Sequence, residues 1–134
     1  MEEADKQLLE HRLNVFLAVA NHLLAQMRRS IVDNRLCLYR SDEGLKCAVG
    51  CLISDEHYHE DLEKKTVSEE LVRDALERSG VRIHDGTMLQ FVGELQFVHD
   101  YSFAKDWPHR LMGVAREYGL VDRHGCIERK WNVS

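Results

Sequence analysis

Between Asp5 and Arg29 the residues Leu9, Leu13, Phe16, Leu17, Ala20, Leu23, Leu24 and Met27 recur at spacings of three and four, which places them on one face of a helix. A helix of that length hides its apolar stripe only against other elements, so the first segment already commits the chain to a packed, helix-rich core. Glu10, Arg12, Asn14 and Asn21 fall on the opposite face, and Arg28-Arg29 closes the segment where the negative end of a helix dipole favours positive charge.

Downstream the pattern predicts further helices separated by turns. Arg35-Leu-Cys-Leu-Tyr-Arg40 alternates and reads as a short extended segment, and Gly44 to Ile53 reads as a short buried helix. Gly50 inside that helix costs about 1 kcal/mol relative to alanine, which implies that another backbone packs closely against it. Thr66-Val-Ser-Glu69 fits the Ser/Thr-x-x-Glu capping box, so a helix is expected from Val67 to Ser79, ended by Gly80. Thr87-Met-Leu-Gln90 offers a second box after the Asp85-Gly86 turn, and Met88, Phe91, Leu95 and Val98 carry helical spacing on to Tyr101. Pro108 suits the first turn of a last helix and Gly119-Leu120 its end. The tail Cys126-Ile-Glu-Arg-Lys-Trp131 alternates and is a candidate partner strand for 35–40, a pairing that would bring Cys126 near Cys37.

The expected fold is mostly α: one compact domain over 1–134, with about four main helices, a short buried helix and at most a minor two-stranded β element. The chain of 134 residues is 44% hydrophobic and 31% charged, with a single proline and a net charge of -5. That balance argues against direct nucleic-acid binding, which rests on clustered Lys and Arg. The acidic N-terminus does not read as a secretory signal and no apolar run reaches bilayer-spanning length, so the expectation is a cytoplasmic protein with no membrane association. Four cysteines in such a chain point to packed thiols, metal ligands or reactive groups rather than disulfides.

Two of those cysteines, Cys47 and Cys51, lie in the run Gly44-Leu-Lys-Cys-Ala-Val-Gly-Cys-Leu-Ile53, with Cys37 just upstream, and four groups of residues could carry chemistry. Cys37, Cys47, Cys51 and His57, with His59 nearby, hold thiolates and imidazoles of the kind that bind zinc, but their spacing is loose and the neighbours Ala48, Val49, Leu52 and Ile53 are core residues. The expectation is packed thiols and no cofactor. Cys47, beside Lys46 at a helix start, is a candidate nucleophile, although no Cys/His/Asn signature accompanies it. The loop Ser54-Asp-Glu-His-Tyr-His-Glu-Asp-Leu-Glu63 concentrates Asp55, Glu56, His57, Tyr58, His59, Glu60, Asp61 and Glu63. It lacks an EF-hand pattern and reads as a solvated acidic docking loop. Finally, Phe97-Val-His-Asp-Tyr-Ser-Phe103 with Trp107-Pro-His109 reads as a helix end whose aromatics close the core, with His99 and Asp100 at the rim.

Cys37-Leu-Tyr-Arg40, the Gly44 to Ile53 run and Asp55-Glu-His-Tyr58 together resemble a group of small bacteriophage- and prophage-encoded proteins of uncharacterised function. Leu23-Leu-Ala-Gln26 is similar to that group's "Leu-Leu-x-Gln" helix end, and Trp107 with Tyr118-Gly-Leu120 to its closing helix. The chain departs from the group at Ser54, where a proline is usual, and in the His57/His59 pair. The resemblance implies no catalytic residue. With marked enzyme motifs missing, the expected function is a non-enzymatic accessory factor of phage or mobile-element type. Such a factor would bind a host protein with a basic, nucleic-acid-binding surface, such as a defence nuclease or a regulator, and block it by surface occlusion. The alternative is a small cysteine-dependent or zinc-containing enzyme centred on Cys47 or Cys51 with His57 or His59. Partner identity, stoichiometry and oligomeric state are not written in the sequence.

Overall fold

The computed structural model describes residues 3–33, 36–83 and 86–121. It is mostly helical, with four long helices, a five-residue helix, 3-10 turns and one two-stranded antiparallel sheet. In chain order these are α1 (Glu3–Gln26), β1 (Ile31–Val32), β2 (Leu36–Cys37), α2 (Ala48–Leu52), α3 (Glu70–Arg78), α4 (Gly86–Tyr101) and α5 (Trp107–Glu117). The expected tail strand from Cys126 to Trp131 and its proximity to Cys37 lie outside the described residues, as does Asp85. Among the described residues no helix is long and apolar enough to cross a membrane.

The long amphipathic segment forms α1, but it ends at Gln26, because Met27 takes a left-handed φ of 50°. Arg28 and Arg29 therefore stand beyond the helix rather than in its last turn, and each reaches a tertiary partner instead. Arg28 Nη2 pairs with Glu43 at 2.9 Å, and Arg29 Nη1 donates to the Asp100 carbonyl at 3.3 Å. The buried stripe also sits differently from the expectation. Leu13, Phe16, Ala20 and Leu23 are inside as expected and are joined by Val15 and Val19, whereas Met27 is exposed.

After α1 the chain folds back twice. β1 pairs with β2 in the register Ile31 with Cys37 and Val32 with Leu36, and Arg40 then bridges Lys46 across the turn that Gly44 closes at a φ of 85°. The expected extended segment, described from Leu36 on, thus finds its partner in β1. Lys46 is fixed to α1, where Gln26 receives its N–H at 2.9 Å and His22 and Gln26 both bond its carbonyl.

α2 begins at Ala48, later than the Gly44 start expected, with Cys47 as its N-cap. It packs on α1, α4 and the backbone at Tyr39. A Cβ on Gly50 would overlap the Tyr39 carbonyl oxygen, so glycine is what lets α2 lie against that backbone.

The boundaries of α3 and α5 follow known end geometry. α3 starts at Glu70, after the 66–69 segment closes as a turn, and one half of the expected capping box persists as Glu69 Oε2 accepts the Thr66 N–H at 2.6 Å. Its end is a Schellman motif: Gly80 has φ 95°, Val81 N–H bonds the Leu76 carbonyl at 2.9 Å, and Val81 is buried. α5 ends in the same way, through Gly119 at φ 68° and a 2.8 Å bond from Leu120 N–H to the Ala115 carbonyl. Thr87 is not the N-cap of α4, because that helix already includes Gly86; its hydroxyl accepts from Arg12 Nη2 at 2.6 Å. The core joins the five helices, with Trp107, Phe16 and Phe91 its largest fully buried side chains among the described residues.

Candidate functional site

The acidic loop is a mounted element rather than a slack one. Two 3-10 turns, Asp55–His57 and Glu60–Leu62, shape it, and Leu62 plugs into the core. Glu63 turns inward: Oε1 accepts the Tyr39 N–H at 2.9 Å, and Oε2 accepts the Arg40 N–H at 3.1 Å and the Tyr58 hydroxyl at 2.6 Å. Charge-assisted bonds of this kind are stronger than neutral ones. Arg40 clamps the other end, with Nη2 on the Ile53 carbonyl at 2.6 Å, Nη1 on Asp55 at 2.7 Å and its guanidinium 4.6 Å from the Tyr58 ring centre. Of the eight residues expected to form a docking surface, Glu63 and Tyr58 therefore hold the loop. Asp55, Glu56, His59, Glu60 and Asp61 face outward and His57 is half-buried.

The thiols do not assemble as a metal-ligand set with His57. Cys47 is fully buried and its Sγ accepts the Gly50 N–H at 3.3 Å, while Cys51 donates to the Ala48 carbonyl at 3.0 Å. Burial pushes the Cys51 thiol up to about 12 and the Cys47 thiol higher still. These are conditions under which thiolate is scarce, the opposite of what nucleophilic catalysis needs. Cys37 is also pushed up, to about 11, first by burial and then by the carboxylate of Asp100, against the weaker pull of Arg29.

Cys37 instead meets His99 and Asp100, a group whose ligand atoms lie within 4.8 Å of one another. Its hydrogen bonds decide what it can do. His99 Nε2 accepts the Ser30 N–H at 2.9 Å, so the ring proton belongs on Nδ1, which lies 2.8 Å from Asp100 Oδ1. A ring with one nitrogen accepting a backbone N–H and the other donating to a carboxylate has no lone pair left for a metal. The group is a structural pin. Asp100 Oδ1 also accepts from Gln96 Nε2 at 2.9 Å, and Gln96 Oε1 accepts the Val49 N–H at 2.8 Å, so one chain of bonds ties the strand entry, α2 and α4 together.

This pin inverts the expectation for the Phe97 to Phe103 segment. His99 is buried alongside Val98 and stacks 5.6 Å from Trp107, whereas Phe97, Tyr101 and Phe103 are 60%, 74% and 67% exposed. Phe97 and Tyr101 stack on each other at 4.6 Å on the outer face of α4. Beside them α4 and α5 leave a groove of about 460 Å³, lined among others by Glu94, Phe97, Tyr101, Gly113 and Glu117, with His109 and Arg110 on the α5 side.

With this geometry in place, comparison with known proteins adds no family. No protein-family model matches the chain, and neither a curated protein nor a solved structure gives a significant match.

Helical spacing already carries a signal for the outward aromatics, since Phe97 falls about half a turn from the stripe of Met88, Phe91, Leu95 and Val98. The meeting of Glu94 with Glu117 carries none, because those residues sit on different helices.

Proposed function

We propose that this protein is a non-enzymatic binding factor of phage or mobile-element type, which occupies the surface of a host protein bearing basic side chains and blocks it by occlusion. The observation that carries the reading is the outward Phe97, Tyr101 and Phe103 at the end of α4. Aromatics in exposed clusters supply large, stiff contact area and are enriched among the side chains that dominate protein interfaces. The rigidly mounted acidic loop supports the choice of a basic partner, since fixed charge steers encounter and loses little freedom on binding. The raised thiols speak against the alternative of a cysteine-dependent enzyme.

Quantitative capture from a bacterial lysate tests the reading when wild-type bait is compared with two variants, Phe97→Ala/Tyr101→Ala/Phe103→Ala and Asp55→Lys/Glu56→Lys/Glu60→Lys. The expected result is a partner retained by the wild type and depleted on at least one variant, with the circular dichroism of all three baits alike. Identical retention profiles for all three baits overturn it.

A further inference from the structure

The groove between α4 and α5 holds two carboxylates beside an aromatic platform. Neither Glu94 nor Glu117 has an ion-pair partner among the described residues. The two line the same groove, and the neighbouring Glu94, ahead of burial, raises the Glu117 carboxyl above its ordinary range. Glu94 is also held in place by the Tyr118 hydroxyl, and the Tyr118 ring lies tilted against the buried Phe91 at 4.8 Å. Two like charges fixed next to each other repel unless a proton or a cation lies between them. The stacked faces of Phe97 and Tyr101 border the same space, and aromatic faces attract cations.

Gly113 points the same way. A glycine inside a helix costs about 1 kcal/mol relative to alanine, and the usual reason for one is a close neighbour, as at Gly50. A Cβ at Gly113 would meet nothing within 4 Å. Packing therefore does not call for glycine here, and what its missing side chain leaves is an open groove floor.

The geometry points to this groove as the seat of a guanidinium or ammonium side chain of a protein partner, held between the Glu94/Glu117 pair and the Phe97/Tyr101 platform. The inference rests on the binding reading above and names the partner's chemistry. Planar guanidinium suits the site best, because it can bond two carboxylates while stacking on an aromatic ring. Arg110 and His109, on α5 with Glu117, line the same groove and set a limit on charge: the site takes one cationic side chain and repels a dense basic run.

Titration of the full ¹⁵N-labelled chain with a capped Gly-Arg-Gly tripeptide, and with the same peptide carrying citrulline, tests this by amide shift mapping. Arginine should shift amides of residues 94–101 and 110–117, citrulline should bind about fivefold or more weakly, and Glu94→Gln/Glu117→Gln should weaken the arginine peptide by a similar factor. Gly113→Leu should abolish the shifts while leaving the far-ultraviolet spectrum unchanged. Shifts confined to the 55–61 loop, equal binding of citrulline, or undiminished binding to Glu94→Gln/Glu117→Gln overturn the inference. The two proposals fail separately. A captured partner fully retained by Glu94→Gln/Glu117→Gln overturns the groove and leaves the binding reading standing; groove shifts without any captured partner do the reverse.

Discussion

Gly50 lies with its α-carbon against the carbonyl of Tyr39, in a space that a methyl group cannot share. The same carbonyl accepts the Cys47 N–H at 3.2 Å, so it cannot swing aside without breaking the pairing that starts α2. Gly50→Ala should lower stability by about 2–3 kcal/mol, the upper range for overpacking, measured by urea unfolding. Gly113→Ala should do the opposite and stabilise by about 0.5–1 kcal/mol, because there only helix propensity changes. Equal effects at the two glycines would sink the assignment of close packing to one and open space to the other.

His99 holds Ser30 and Asp100 from a fully buried position. His99→Leu keeps the volume apolar but strands the Ser30 N–H, and a stranded buried donor costs about 1–3 kcal/mol. Loss of stability together with faster hydrogen exchange at the Ser30 amide is the expected signature. An unchanged unfolding midpoint would rule out the pin.

The three described thiols share one cause of low reactivity, which is burial. In a Cys126→Ser background, native titration with a disulfide reagent near neutral pH should be slow at Cys37, Cys47 and Cys51 and become fast on denaturation. Metal analysis of the purified protein should find no stoichiometric zinc. One fast thiol, or one zinc per chain, would restore the enzymatic alternative.

Glu63 joins the acidic loop to the Tyr39–Arg40 segment through two backbone amides and also accepts the Tyr58 hydroxyl within the loop. Glu63→Ala should cost about 2 kcal/mol, within the range for hydrogen bonds to a charged group, and should speed exchange of the Tyr39 and Arg40 amides. Glu60→Ala, on the outward face, should change neither. Equal responses would mean that the loop is not anchored at Glu63.

His22 and His11 both have pKa values below the ordinary 6.5, chiefly because burial disfavours the charged ring. A histidine whose folded pKa is depressed binds more protons when unfolded, so its contribution is intact above pH 6.5 and declines as pH falls below it. His22→Gln can still donate to the Lys46 carbonyl without titrating. The loss of stability between neutral and mildly acidic pH should therefore be smaller in His22→Gln than in wild type, and a loss of the same size in both would count against it.

Local pattern made most helices and their ends legible. Helical spacing marked α1, α4 and the inward positions Leu13, Phe16, Phe91 and Leu95, and Gly80 and Gly119 marked the ends that became Schellman motifs. It also showed, through the cost of a glycine in a helix, that Gly50 needed a close backbone neighbour. Spacing misled where a helix stopped or started for tertiary reasons. Gln26 ends α1 while binding Lys46 from a distant turn, and Cys47 caps α2 once Tyr39 holds its N–H.

The polarity of the Phe97 to Phe103 segment was decided by tertiary structure. Aromatic content alone suggests a core, but a histidine with both nitrogens satisfied, by Ser30 and Asp100, loses its desolvation penalty and can take the inward place. Composition also drew attention to the cysteines and acidic loop, whereas the carboxylate pair in the groove arises only when α4 and α5 pack side by side. Sequence by itself determined which segments form the main helices, because that depends on neighbours three and four positions away. Which faces remain open to a partner was left to the fold, because exposure depends on residues brought together from distant parts of the chain.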